Sequence, residues 1–144
     1  VLAGFENFGS IRNYVELCND IHKEAGKFLH QRFIEIHLNC PEPQGAFYLF
    51  PDFENFKDLI TSRGIKSSEE LSKRLLEDIG VALLPGSDFY MPDEFLGVRV
   101  TSVDYDGAKL MHDFSITGKE KPLMYTSLFP RLAEACERLE KWLR

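Results

Sequence analysis

From about Ile11 to Ile36 apolar residues recur at intervals of three and four, as Tyr14, Leu17, Cys18, Ile21, Ala25, Phe28, Leu29, Phe33 and Ile36. That spacing makes one face of a single long helix. At about 1.5 Å per residue the helix is roughly 40 Å long, more than the diameter of a small domain. A helix of this length is expected to project beyond its own core. The segment Leu38-Asn39-Cys40-Pro41-Glu42-Pro43 is expected to stop it, because each proline disfavours helical geometry in the residue before it.

Downstream, the elements become short. Gly45-Ala46-Phe47-Tyr48-Leu49-Phe50 reads as a strand, either buried on both faces or carrying a second face that meets another domain. Pro51 ends it, and Asp52 can cap a short helix over Phe53 to Ile60, with Phe53, Phe56 and Ile60 pointing inward and Gly64 breaking it. Ser67 and Glu70 have the spacing of a capping box, Leu71, Leu75, Leu76 and Ile79 form an apolar stripe, and Gly80 stands where a left-handed cap is wanted. Val81 to Leu84 reads as a short buried strand that Pro85-Gly86 turns into a polar loop, Ser87 to Glu94. Gly97 to Val103 is a third strand, with Val98 and Val100 on one face and Arg99, Thr101 and Val103 on the other. A short helix is expected over Gly107 to Phe114, and Pro130 opens a closing helix striped by Leu132, Cys136, Leu139 and Leu143. The order of elements describes one α+β domain over residues 1–144, in two layers: a three- to four-stranded, mostly antiparallel sheet covered by helices.

Charge and composition exclude several function classes. With 144 residues and 44% hydrophobic content the chain can build one real core, while a formal charge of -6 argues against a grip on nucleic acid. No stretch has the length of a membrane span, and Val1-Leu2-Ala3-Gly4-Phe5 lacks the features of a signal peptide. Cys18, Cys40 and Cys136 are odd in number and widely spaced, which reads as reduced thiols and a cytoplasmic location. The chain opens on Val1, so it is expected to begin inside a longer gene product. His22, His30, His37 and His112 show no metal-binding spacing, and no metal is expected. Cys136 and Cys18 read as core positions on apolar helix stripes, Cys40 precedes a proline in a loop with no obvious base, and Glu69-Glu70 and Asp93-Glu94 read as a helix N-terminus and a solvated loop.

Arg99 is the residue that composition does not explain. A guanidinium fixed between β-branched neighbours is a rigid fork of donors that fits a carboxylate in two parallel hydrogen bonds. An arginine on a strand can equally lay its stem along apolar neighbours and keep its head in water. The residues alone leave both readings open.

Three segments, Pro43-Gln44-Gly45-Ala46-Phe47-Tyr48-Leu49-Phe50-Pro51-Asp52, Gly80-Val81-Ala82-Leu83-Leu84-Pro85-Gly86-Ser87-Asp88-Phe89 and Gly97-Val98-Arg99-Val100, occur in this order. Together they resemble the C-terminal small domain of class I/II, fold-type I aminotransferases of the aspartate and alanine aminotransferase kind. The resemblance implies that Arg99 holds the α-carboxylate of an amino-acid substrate and that Gly45 and Ser87 line the cleft. It also implies pyridoxal phosphate as cofactor, amino acids and 2-oxo acids as substrates, and a homodimer at full length. The family's Schiff-base lysine lies in a Ser-x-x-Lys motif, and none occurs in this sequence. The catalytic and cofactor-binding residues are therefore expected on a large domain of the same polypeptide. This chain alone is expected to be inactive and free of the cofactor. Residues 1–37 would link the two domains, and 104–130 would be a subgroup insertion. The competing expectations are a stand-alone α+β module that binds or senses a small organic anion through Arg99, and an interaction domain that uses the aromatic strand.

Overall fold

The computed structural model describes residues 6–117 and 125–144. Its first helix, α1 (Phe8–Glu35), has 28 residues, and only its second half is core. Ile21, Ala25, Phe28, Leu29 and Phe33 are buried, whereas Phe8, Ile11 and Tyr14 in the first two turns stand exposed. The helix closes before either proline. His37 takes a left-handed φ of 66°, its N–H bonds the Ile34 carbonyl, and the Leu38 N–H bonds the Phe33 carbonyl at 2.9 Å. These two bonds satisfy terminal carbonyls as a glycine cap ordinarily does, so the stop is the helix's own cap rather than the expected Pro41 and Pro43.

Strand β1 is only Tyr48–Leu49. After it, the Asp52 carboxylate accepts the Glu54 N–H at 3.1 Å and so caps a 3-10 turn, Glu54–Phe56, that runs into α2 (Lys57–Ser62). Phe53 and Ile60 are fully buried, as their spacing requires, and Gly64 turns the chain with a φ of 81°. Helix α3 (Ser68–Ile79) starts at Ser67, whose hydroxyl accepts the Glu70 N–H at 3.2 Å. The returning carboxylate of Glu70 takes the Lys66 N–H, one residue before the position a reciprocal box would use. Leu71 and Leu75 are buried, but Leu76, expected in the same stripe, is 54% exposed on the helix flank.

Gly80 caps α3 with a φ of 67°, and the Val81 N–H folds back onto the Leu75 carbonyl. With that donor used by the cap, the expected strand over Val81 to Leu84 shrinks to β2 (Leu84–Pro85). A 3-10 turn, Gly86–Phe89, occupies the start of the segment expected to be a loop, and β3 (Val98–Thr101) follows. The closing helices are α4 (Gly107–Thr117), α5 (Tyr125–Leu128) and α6 (Pro130–Trp142), the last with its proline in the first turn. Part of the expected 104–130 insertion, residues 118–124, lies outside the described residues.

The sheet of the described residues is antiparallel in the order β1-β3-β2. Tyr48 pairs with Thr101 and Leu49 with Val100 on one side of β3, and Leu84 pairs with Arg99 and Pro85 with Val98 on the other. Leu49, Val98 and Val100 enter one core with α1, α3 and α6, so helices cover that face in a two-layer α+β arrangement. The opposite face carries Arg99, with Tyr48 and Leu84 each 42% exposed. The aromatic strand is therefore buried on one face and open on the other. Ser102, fully buried, ties β3 to the segment before β1 by giving both its N–H and its hydroxyl to the Phe47 carbonyl.

Candidate functional site

The strand order makes β3 central, and period-two alternation turns Arg99 away from the core while Val98 and Val100 anchor its backbone inside. The two edge elements each bring an aromatic ring to it. The Arg99 Cζ lies over the Tyr48 ring, 4.4 Å from its centroid, and over the Phe89 ring at 4.5 Å. Its Nε is buried and has no hydrogen-bond partner. Most of the other arginines have polar partners close by: Arg32 meets Glu35, Arg74 meets Asp78, Arg131 meets Asp104, Arg144 meets Glu140, and Arg63 donates to the Trp142 carbonyl, while Arg12 on the exposed start of α1 lies over the Phe8 ring. Among the described residues no carboxylate pairs with Arg99. A half-buried charge without a counter-ion is costly, and the ring faces offset that cost only in part. The site presents an always-protonated guanidinium with at least one donor that has no acceptor.

The turn that delivers Phe89 is held by backbone. Gly86 donates its N–H to the Gly97 carbonyl at 2.9 Å, and a β-carbon on Gly86 would stand 2.8 Å from that same oxygen. Phe50 packs edge-on against Phe89 with centroids 5.9 Å apart. Gly86→Ala is accordingly expected to force the turn off β3 and to destabilise the fold by about 1–3 kcal/mol, the usual range for overpacking. A urea midpoint equal to that of the parent would show that the two segments can part without loss.

Ser87 belongs to the same turn but faces α3. Its N–H bonds the Ser68 hydroxyl at 3.2 Å and its own hydroxyl donates to Glu69 at 3.4 Å. Gly45 opens onto a different region, a groove of about 420 Å³ between α1 and the chain at 42–46 that is bordered by His22, Lys23, Lys27 and His30. The structure thus joins the Ser87 turn to Arg99 through Phe89, and it places Gly45 on another groove. Tyr48 and Phe89 as partners of Arg99 escaped the sequence reading. Alternation alone puts Tyr48 on the outer face with Arg99, but nothing in the sequence signals Phe89.

Other chemistry finds little support. Burial pushes the thiols of Cys40 and Cys136 up to about 11, which keeps both protonated and poorly nucleophilic near neutral pH. Among the described residues no group of three His, Cys, Asp or Glu side chains could hold a metal ion, and no helix is long and apolar enough to cross a membrane.

The fold and the site describe a small α+β domain with an unpaired guanidinium on the open face of its sheet. The family model for aminotransferase class I and II matches residues 1–106, and the chain belongs to that family. It is 42% identical over 77 residues to the aspartate aminotransferase of Bacillus subtilis, covering 53% of this chain and 19% of that protein. With the aspartate aminotransferase of Geobacillus stearothermophilus it shares 34% over 91 residues, 62% of this chain and 22% of that one. The chain spans about a fifth of the length of these relatives. A double mutant of the Thermus thermophilus aspartate aminotransferase has the same fold, with a TM-score of 0.63 over 96% of this chain and 27% of that chain at 24% identity. The Thermotoga maritima aspartate aminotransferase gives 0.56 at 26% identity, over 86% of this chain and 23% of that chain.

The family implies pyridoxal phosphate, and no described lysine fits the Schiff-base role. A Schiff-base lysine has to be sheltered beside the cofactor, whereas every described lysine is exposed. No step through the cofactor follows from these residues.

Proposed function

We propose that this chain is the C-terminal small domain of an aminotransferase, and that Arg99 holds the carboxylate shared by amino acids and 2-oxo acids. The observation that carries this reading is the guanidinium on the central strand, half-buried and without an acid partner among the described residues. Two parallel N–H···O bonds from a planar fork fix a carboxylate in both position and rotation. Such a clamp orients the Cα substituents before any proton moves, which is how binding energy becomes rate. It also serves amino acid and oxo acid alike, because both carry the same carboxylate.

The rest of the enzyme is then a large domain on the same polypeptide, carrying the Schiff-base lysine and most of the contacts to pyridoxal phosphate. The exposed first turns of α1, with Phe8, Ile11 and Tyr14, suit a helix that continues toward that domain. Closure of the small domain over the cleft would bring Arg99 to the substrate. In this reading the full-length enzyme is a cytoplasmic homodimer, and the match to about a fifth of the relatives' length supports the division.

The full-length protein, given an amino acid and a 2-oxo acid, is expected to form the exchanged pair, while the 144-residue chain alone forms none. Chromatography of the products decides it. No exchange across a panel of amino acids would overturn the assignment, and exchange by the isolated chain would overturn the division between domains.

A further inference from the structure

We infer that Tyr48 and Phe89 are positioning residues for Arg99, holding its guanidinium plane so that the donor edge is presented to a carboxylate. The inference rests on the reading of Arg99 as the carboxylate clamp. The two rings come from elements far apart in sequence, β1 and the turn after β2, and both reach the same carbon on the strand between them, at 4.4 and 4.5 Å. A ring stacked on a guanidinium occupies its face and leaves the in-plane N–H groups free. A carboxylate partner within the chain would instead have consumed those donors. Ring faces are thus a counter-charge that steadies the cation without competing with the ligand.

Two further features fit this role. The Nε–H is buried yet has no acceptor, so the guanidinium that the two rings contact keeps at least one donor without a partner. The rings are themselves supported: Phe89 by Phe50 and by the Gly86–Gly97 backbone bond, and Tyr48 by Phe47, whose centroid is 4.5 Å from its own. An arginine side chain otherwise has many rotamers, and each ring removes some of them before ligand arrives. The cost of ordering the fork then falls on folding rather than on binding.

The test is made in the full-length enzyme by steady-state kinetics with an amino-acid substrate, using Tyr48→Leu, Phe89→Leu and Arg99→Lys alone and in combination. Each leucine variant is expected to raise KM by about three- to tenfold with a much smaller change in kcat, the size of a cation–π contact. Tyr48→Phe, which keeps the ring, is expected to recover most of the loss seen in Tyr48→Leu. In the Arg99→Lys background the leucine changes are expected to add less than twofold, because the plane they aim is gone. A general packing defect would lower activity in both backgrounds alike, and that result overturns the inference. Unchanged KM in both leucine variants, with Arg99→Lys impaired, also overturns it while leaving the clamp intact. An unimpaired Arg99→Lys removes the clamp itself. Should Phe89→Leu fail to fold, Tyr48→Leu at its 42% exposed position carries the same test.

Discussion

Arg99→Lys in the full-length enzyme is expected to raise the substrate KM and to lower kcat/KM by about 10- to 100-fold, as one of two charge-assisted bonds is lost at about 1.5–3 kcal/mol. Lysine keeps the charge but replaces a planar fork with a point charge on a flexible stem, so it can attract a carboxylate without fixing its rotation. Free rotation would spread the reacting bonds over many orientations, and kcat is expected to fall along with the rise in KM. The lysine should also be poorly held between Tyr48 and Phe89, since an ammonium does not stack as a guanidinium does. Measured kcat/KM within twofold of the parent would show that the carboxylate is bound elsewhere.

The second large effect is on stability. Phe53→Ala is expected to cost about 3–5 kcal/mol, the range for removing a buried phenylalanine, against a total of about 5–15 kcal/mol for a typical domain. Phe53 is fully buried, and its backbone N–H bonds the Leu96 carbonyl at 3.0 Å. Beside it, Asp52 bridges Asn39 and Gly97 and caps the Glu54–Phe56 turn. The ring therefore fills the core where the end of β1, the turn into α2 and the approach to β3 converge. Because those three backbones are pinned by hydrogen bonds, the space left by the ring cannot collapse cheaply. A urea midpoint that moves by less than 1 kcal/mol equivalent would show that the site relaxes after all.

Particular residues show where the sequence was legible. The stripe from Ile21 to Phe33 is buried as its spacing requires, Ser67 and Asp52 cap the turns they precede, and Gly80 adopts the left-handed cap. Arg99 lies on the face opposite Val98 and Val100 for the same reason of alternation. The failures concern elements whose limits depend on distant partners. Gly45 to Phe50 and Val81 to Leu84 look like full strands by composition, but β1 keeps only Tyr48 and Leu49 of the first and β2 only Leu84 of the second, continuing into Pro85, because pairing to β3 is brief and the Val81 N–H is taken by the α3 cap. Leu76 looked like part of the buried stripe and is largely exposed, because Leu71 and Leu75 already take the side of α3 that meets the core.

The same division holds for the site. The three motifs and the lone strand arginine were enough to point to an aminotransferase class I and II chain and to single out Arg99, since motif order and alternation are written in neighbouring residues. That the guanidinium would lie against both Tyr48 and Phe89, with no acid paired to it among the described residues, could be decided only by the fold. Neither contact lies between neighbouring residues, and both exist because the order β1-β3-β2 sets β3 between the strand that carries Tyr48 and the strand whose following turn carries Phe89.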